Sequence, residues 1–202
     1  EGASVVVIGG GMVGENAIQM ALGMAADVTV LDRNIEVLQH LARRFGPTLN
    51  TVYSQKATLE RYVVDADLVV GAVLVAGANA PKVVTRDMVR RMRPGSVMVD
   101  VAIDQGGCFE TSHPTTHADP TYVVDGVVHY LSPHARGGAQ DLDNNVTLPF
   151  ALALADKGYQ AALGENQHFR DGLNICKGKV THPAVAAAQG YDCTDPMAAL
   201  AS

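Results

Sequence analysis

The sequence predicts an α/β fold, a doubly wound parallel sheet followed by a C-terminal helical segment. Short apolar strand patterns alternate with helical patterns five times within roughly the first half of the chain, which is typical of this fold. The strand patterns are apolar throughout, as expected when helices cover both faces of the sheet. From residue 146 onward the pattern becomes mainly helical.

The first elements are the clearest. Residues Ser4–Ile8 form a continuous β-branched run, typical of a strand buried on both faces, and a helix begins near Met12. The second strand, 27–31, is followed by Asp32, and Gly46-Pro47 stops the next helix. A third strand at 49–53 and a crossover helix at 58–64 come next.

The later elements are a strand at 67–73, a helix at 85–92 and a strand at 96–103. Thr85 can cap that helix, and three arginines lie near the negative end of its dipole. After a long polar loop, residues 121–130 resume an extended pattern with a bend at Gly126, and helical patterns follow at 146–157 and 183–189. We therefore predict two units, 1–143 containing the sheet and 144–202 containing the C-terminal helices.

Composition narrows the class of protein. The 202 residues are 48% hydrophobic but only 5% aromatic, which excludes a disordered chain and predicts an aliphatic core. A net charge of −6 argues against nucleic-acid binding, and no apolar run approaches the roughly 20 residues that span a membrane. Three widely spaced cysteines imply no disulfide framework, so we expect a cytoplasmic protein. The abrupt start on a strand leads us to expect further residues upstream.

A glycine motif, Gly9-x-Gly11-x-x-Gly14, joins the first strand to the first helix. In a Rossmann-type domain the first glycine permits a tight turn, the second lets the backbone approach a pyrophosphate, and the third allows close helix–strand packing. The helix that begins at Met12 and Val13 would present its free N–H groups to that pyrophosphate. These five residues are therefore predicted to bind a dinucleotide.

Asp32 follows the second strand, about 20 residues after the first glycine, where an acid binds the hydroxyls of an adenosine ribose. A carboxylate there repels a 2′-phosphate, so NAD is favoured over NADP, although the adjacent Arg33 weakens the preference. Two alternatives stay open at this point. S-adenosylmethionine enzymes use a similar loop and acid, and Asp32 could simply cap the next helix.

Further polar residues follow the fifth predicted strand. Asp104 precedes Gln105-Gly106-Gly107, and it could hold a substrate, polarise a water molecule or simply form a turn. Cys108, His113, His117 and Asp119 have the composition of a zinc site, but their spacing fits no compact structural site, so no metal is predicted. His129 lies in an apolar strand and is interpreted as a hydrogen-bonded core residue.

Several of these segments together resemble alanine dehydrogenase. They are Gly9–Gly14, 30–32 (VLD), 71–75 (GAVLV) and above all 99–110 (VDVAIDQGGCFE), which 112–116 (SHPTT) extends. The resemblance covers nearly the whole chain apart from about 131–143. The proton-pumping nicotinamide nucleotide transhydrogenases share the fold and parts of the 99–110 motif.

The resemblance implies a function: reversible NAD-dependent oxidative deamination of L-alanine to pyruvate and ammonia, by a homohexamer in the bacterial cytoplasm. Asp104 would be the catalytic carboxylate, facing the substrate and the nicotinamide. Asp32 would bind the adenosine ribose and Ser54 would lie beside the adenine. The remaining cofactor-binding residues that the resemblance implies are Val73, Leu74 and Ile103.

Two departures from the family matter. The family's upstream substrate domain, which grips the substrate carboxylate and supplies an acid/base histidine, does not precede residue 1, so residues 144–202 would pack on an absent domain. Residues 131–143 differ from the family segment that touches the nicotinamide, which we interpret as a local reading-frame shift or sequence error. The alternative functions are a non-catalytic NAD-binding module, a transhydrogenase subunit and an S-adenosylmethionine transferase.

Overall fold

A computed structural model of the chain describes residues 2–73, 75, 79–116, 118–130 and 140–201. Contacts within the chain divide it into two compact units. The first contains the sheet and its helices, and the second contains the C-terminal helices. The predicted boundary between the two units, at 143/144, stays a prediction. Of the segment that differs from the family, 131–143, residues 131–139 lie outside the described residues.

The first unit is built on a seven-stranded sheet with the order β3-β2-β1-β4-β5-β7-β6. All neighbouring strands pair in parallel except β6 and β7, which are antiparallel. The strands are β1 (Ser4–Ile8), β2 (Asp27–Asp32), β3 (Leu49–Tyr53), β4 (Leu68–Gly71), β5 (Val97–Asp100), β6 (Thr121–Val124) and β7 (Val127–Tyr130). The predicted doubly wound parallel sheet is therefore confirmed.

Helices cover both faces of this sheet. They are α1 (Met12–Gly23), α2 (Ile35–Phe45), α3 (Lys56–Asp65) and α4 (Arg86–Arg91). One core joins the sheet to α1 and α2 through residues such as Ile18 and Leu41. A second core, centred on Val63, Met88 and Phe109, joins it to α3 and α4. Because the strand order reverses between β1 and β4, a crevice opens at their carboxyl ends.

Several predicted elements have other bounds in the structure: the fourth strand is Leu68–Gly71 rather than 67–73, and the crossover helix is Lys56–Asp65 rather than 58–64. Two further differences have a clear physical cause. The fifth strand ends at Asp100, not at residue 103, because the Asp100 side chain accepts a hydrogen bond from the backbone N–H of Ala102 and turns the chain. The stretch 121–130 is not one bent strand but the β6–β7 hairpin, since Asp125 and Gly126 both have positive φ angles and reverse the chain completely.

The second unit contains the predicted C-terminal helices and one small hairpin that the sequence did not reveal. The elements are α5 (Gln140–Glu165), α6 (Gln167–Arg170), β8 (Ile175–Cys176), β9 (Lys179–Val180), α7 (Pro183–Gln189) and α8 (Pro196–Ala201). Gly158 breaks the helical geometry within α5, and Leu163, Cys176, Ala199 and Leu200 form a small core. Within the described part of the chain, no helix combines the length and apolarity that crossing a bilayer requires.

Candidate functional site

A cleft of about 470 Å³ opens at the carboxyl edge of the sheet. Its wall combines the ends of β1, β2 and β4 with the start of α1. The lining residues are Ile8, Gly9, Gly11, Met12, Val13, Leu31, Asp32, Arg33, Val37, Ser54, Ala72, Val73, Pro81 and Val83. Its volume is within the range of small-molecule and cofactor sites, roughly 300–1,000 Å³.

The three motif glycines meet different surroundings. Gly9 has a φ of +97°, and a Cβ there would lie 2.6 Å from the carbonyl oxygen of Ala72. A Cβ on Gly14 would lie 1.8 Å from the carbonyl oxygen of Gly9, so Gly14 lets α1 pack against the loop and lies behind the cleft wall. A Cβ on Gly11 would meet nothing within 4 Å, because Gly11 faces the open cleft.

The amino end of α1 faces this cleft without a side-chain cap at Gly11. The first N–H groups of a helix lack partners within the helix and carry the positive end of its dipole. Glu15, in the first turn of α1, accepts hydrogen bonds from Arg44 (2.5 Å) and from His40 (3.2 Å). Burial raises the pKa of Glu15, but these hydrogen bonds outweigh that effect and lower the pKa overall. Because its first N–H groups are free and carry the positive end of the dipole, the helix terminus can receive an anion.

Asp32 joins the glycine loop to the end of β2. One carboxylate oxygen accepts the backbone N–H of Gly10 at 2.7 Å, and the other accepts that of Asn34 at 2.7 Å. Asn34, not Asp32, is the N-cap of α2, because its side chain accepts the N–H of Glu36. Each Asp32 oxygen keeps a further lone pair for hydroxyl donors.

The other predicted cofactor-binding residues divide into three groups. Ser54 and Val73 line the cleft, and Leu74 lies outside the described residues. Ile103 is buried, and it is not one of the described residues that line the cleft. The sequence did not single out Val37, Ala72, Pro81 or Val83, because apolar lining residues have no signal that distinguishes them from core residues.

Asp104 lies on a 3₁₀ turn, Ile103–Gln105, that follows β5. Its side chain is exposed and makes no hydrogen bond or ion pair with the described residues. Gly106 and Gly107 follow with φ angles of +86° and +74°, so the chain reverses immediately after Asp104. The Asp104 carboxylate is thus exposed on a tight turn, at the same edge of the sheet as the cleft.

The turn is tied to the segment that follows β4. The ammonium of Lys82 donates to the carbonyl oxygens of Gly106 (2.6 Å) and Phe109 (3.0 Å). The backbone N–H groups of Ala80 and Val83 donate to the carbonyl oxygens of Gln105 (2.9 Å) and Cys108 (2.8 Å). Since Pro81 and Val83 line the cleft, these bonds connect its wall to the Asp104 turn.

The four residues whose composition is that of a zinc site do not come together in the described part of the chain. Within that part of the structure, no group of three His, Cys, Asp or Glu side chains could hold a metal ion, and His117 is outside it. Cys108 is buried and its Sγ donates to Asp100 at 3.4 Å. Burial, together with the neighbouring Asp100 carboxylate, raises the pKa of this thiol far above its usual value. His113 stacks on Tyr122 instead.

His129 is a buried core residue with both ring nitrogens hydrogen-bonded, which confirms its interpretation from the sequence. Nδ1 lies 3.1 Å from the carbonyl oxygen of Val127 and Nε2 lies 2.8 Å from Oγ1 of Thr111. The carbonyl can only accept, so Nδ1 carries the proton and Nε2 accepts from Thr111. Burial lowers the pKa of His129.

These features define the class of protein. The helix terminus has no side-chain cap and lies next to a glycine loop, and a carboxylate follows at the end of the next strand. This arrangement is that of a Rossmann-type dinucleotide-binding domain. The particular family follows from sequence comparison. The model of the alanine dehydrogenase/PNT C-terminal domain matches residues 1–183, and the chain belongs to this family.

Two curated relatives give the degree of similarity. The chain is 58% identical over 195 residues to an alanine dehydrogenase of Halomonas elongata, covering 94% of this chain and 52% of the relative. It is 50% identical over 189 residues to alanine dehydrogenase 2 of Staphylococcus aureus, covering 91% and 51%. The chain therefore spans about half the length of the curated relatives it matches.

Two solved structures show the same relationship when they are superimposed on this chain. An L-alanine dehydrogenase superimposes with a TM-score of 0.81 at 45% identity, covering 93% of this chain and 53% of that one. The transhydrogenase from Sinorhizobium meliloti superimposes less well, with a TM-score of 0.57 at 28% identity, covering 65% and 37%.

Proposed function

We propose that this chain supplies the NAD-binding part of an alanine dehydrogenase. The observation that carries the proposal is the cleft in which Gly11, the amino end of α1 and Asp32 face the same space. The overall reaction is L-alanine, NAD⁺ and water giving pyruvate, ammonium, NADH and a proton. The named activity comes from relatives about twice as long as this chain, and the lining of the cleft supports the binding of the cofactor.

The residues of the cleft fit NAD. The open space over Gly11 lets a pyrophosphate approach the free N–H groups of Met12 and Val13. Asp32 has lone pairs for the ribose hydroxyls, and its charge disfavours a 2′-phosphate. We assign Ser54 to the adenine side and Val73, Leu74 and Ile103 to the remainder of the cofactor site. Gly9 and Gly14 act by shaping the loop.

We assign the chemical step to Asp104. NAD supplies the acceptor for the hydride that leaves Cα of L-alanine, and the resulting imine is hydrolysed to pyruvate and ammonia. The exposed Asp104 carboxylate can orient the substrate ammonium or polarise the attacking water. Groups that grip the substrate carboxylate would come from the other half of the longer protein. We further propose that the assembled enzyme is a cytoplasmic homohexamer.

Binding to the purified chain tests the cofactor assignment. We expect NADH to bind, with enhanced nucleotide fluorescence, and NADPH to bind at least about tenfold more weakly because of Asp32. S-adenosylmethionine is the matched ligand for the transferase alternative. If S-adenosylmethionine bound and NADH did not, the proposed function would be wrong.

Turnover in the complete protein tests the catalytic assignment. We expect Asp104→Ala to abolish NADH production from L-alanine while the affinity for NADH stays nearly unchanged. The chain alone should bind NADH without turnover, because hydride transfer needs a substrate held against the nicotinamide. A mutant that kept most of its activity would contradict the role of Asp104.

A further inference from the structure

A buried carboxylate lies directly beneath the Asp104 turn, and the function proposed above does not use it. Asp100 is the last residue of β5, and it is only 1% exposed. No Lys or Arg of the described chain forms an ion pair with it. A buried charge is costly unless hydrogen bonds compensate it, so its presence here requires an explanation.

Hydrogen bonds from the following loop surround this carboxylate. Oδ2 accepts the backbone N–H of Cys108 (2.7 Å), the backbone N–H of Phe109 (3.3 Å) and the hydroxyl of Ser112 (2.5 Å). Oδ1 accepts the backbone N–H of Ala102 (3.1 Å) and the thiol of Cys108. The donors lie on both sides of the Asp104 turn in the sequence, so the carboxylate joins the two ends of the loop that carries it.

The surrounding glycines fit this arrangement. A Cβ on Gly107 would lie 2.8 Å from Oδ2 of Asp100 and 2.8 Å from Cβ of Ser112. A Cβ on Gly71, at the end of β4, would lie 2.4 Å from Sγ of Cys108 and 2.7 Å from the Phe109 ring. The backbone therefore leaves room for the carboxylate and its donors and for little else.

We propose that Asp100 is a positioning residue for the reaction: it fixes the turn that holds Asp104 at the carboxyl edge of the sheet. The inference rests on the proposed function of Asp104. Asp100 is not one of the described residues that line the cleft, and it acts through the loop that its hydrogen bonds hold. Charge-assisted hydrogen bonds are shorter and stronger than neutral ones, which suits a carboxylate that must hold one loop geometry.

Hydrogen exchange of the chain itself tests the loop geometry. Asp100→Asn places an amide group among N–H donors, and Ser112→Ala removes one hydroxyl donor. We expect the amides of Cys108 and Phe109 to exchange roughly tenfold faster or more in both variants. Ser96→Ala is the matched control, since it also removes one buried hydroxyl bond (to the Ala66 carbonyl, 3.0 Å) at the other end of β5.

Kinetics of the complete enzyme test the consequence for catalysis. We expect Ser112→Ala to lower kcat by roughly 10²-fold, because small misplacements of a catalytic group are that costly. The Kd for NADH should stay within about twofold of wild type, since Ser112 is not one of the described residues that line the cleft. Ser96→Ala should keep wild-type kcat while losing a similar amount of stability.

The outcomes separate the inference from the proposed function. If Ser112→Ala and Ser96→Ala lowered kcat equally, or if the amides of Cys108 and Phe109 stayed protected in both loop variants, Asp100 would be merely structural and the inference wrong. If Asp104→Ala kept its activity, the proposed function would fail, whatever the exchange data showed. If Asp100→Asn did not fold, the amide exchange and the kcat of Ser112→Ala would decide whether the inference holds.

Discussion

Two glycine-containing loops at the same edge of the sheet have opposite characters. The first, which we term the open loop, is Gly9–Gly14 after β1, and the second, the closed loop, runs from Asp100 to Ser112 after β5. At Gly11 of the open loop an added Cβ would meet nothing, whereas at Gly107 of the closed loop it would meet the protein's own carboxylate and serine. One loop leaves space for a ligand, and the other fills its space with its own side chains.

The two carboxylates show the same difference. Asp32 lines the cleft and accepts two backbone N–H groups of the described chain, while Asp100 is buried and accepts from backbone, hydroxyl and thiol groups. An acid at the end of a parallel strand can thus recognise a ligand or organise a loop. What decides between these roles is whether the following chain folds back over the carboxylate, as it does at Gly107 after Asp100, or leaves the carboxylate facing the cleft, as it does after Asp32.

The largest expected effect is at Gly107. Gly107→Ala combines a positive φ with a clash against Asp100 and Ser112, so we expect the free energy of unfolding to fall by roughly 2–4 kcal/mol. Urea denaturation measures it. Gly106→Ala is the control, because Gly106 also has a positive φ but its Cβ would meet nothing. Equal losses in the two variants would show that the closed loop is not tightly packed.

The next effect separates binding from stability at Gly11. We expect Gly11→Ala to weaken NADH binding by about tenfold, or about 1.4 kcal/mol, because the new methyl group projects into the cleft. Its φ of −68° suits alanine, so the loss of stability should stay below about 1 kcal/mol. Gly23→Ala, in equally open space at the other end of α1, should leave the NADH affinity unchanged. Unchanged affinity in Gly11→Ala would show that the pyrophosphate lies elsewhere.

The sequence predicted the open loop far better than the closed one. The boundaries of β1 were predicted correctly because Ser4–Ile8 is a continuous buried run that ends at a glycine motif of fixed spacing. The end of β5 was wrong because 96–103 is just as apolar, and only the inward side chain of Asp100 ends the strand. An acid at the end of a buried strand, followed closely by two glycines, was the available signal for the closed loop. Hydrogen bonds between distant residues, such as Lys82 to Gly106, leave no local pattern.

The smallest expected effect concerns pH and the closed loop. Burial lowers the pKa of His129 below the ordinary 6.5, so the unfolded chain takes up a proton that the folded chain does not. A depressed pKa gives stability that is complete above pH 6.5 and is lost as the pH falls below that value. Between pH 6.5 and 5.5 this one group can cost at most about 1 kcal/mol of unfolding free energy.

The variant His129→Gln isolates this contribution. Glutamine can still accept the Thr111 hydroxyl but does not titrate, so the loss of stability between pH 6.5 and 5.5 should be smaller than in wild type by up to that amount. Urea denaturation at the two pH values measures the difference, and the other histidines cancel because both proteins contain them. Since Thr111 precedes Ser112, the protection of amides against hydrogen exchange should fall at low pH in the closed loop before it falls in the open loop. Parallel pH profiles for wild type and variant would mean that His129 is protonated equally in the folded and unfolded chains.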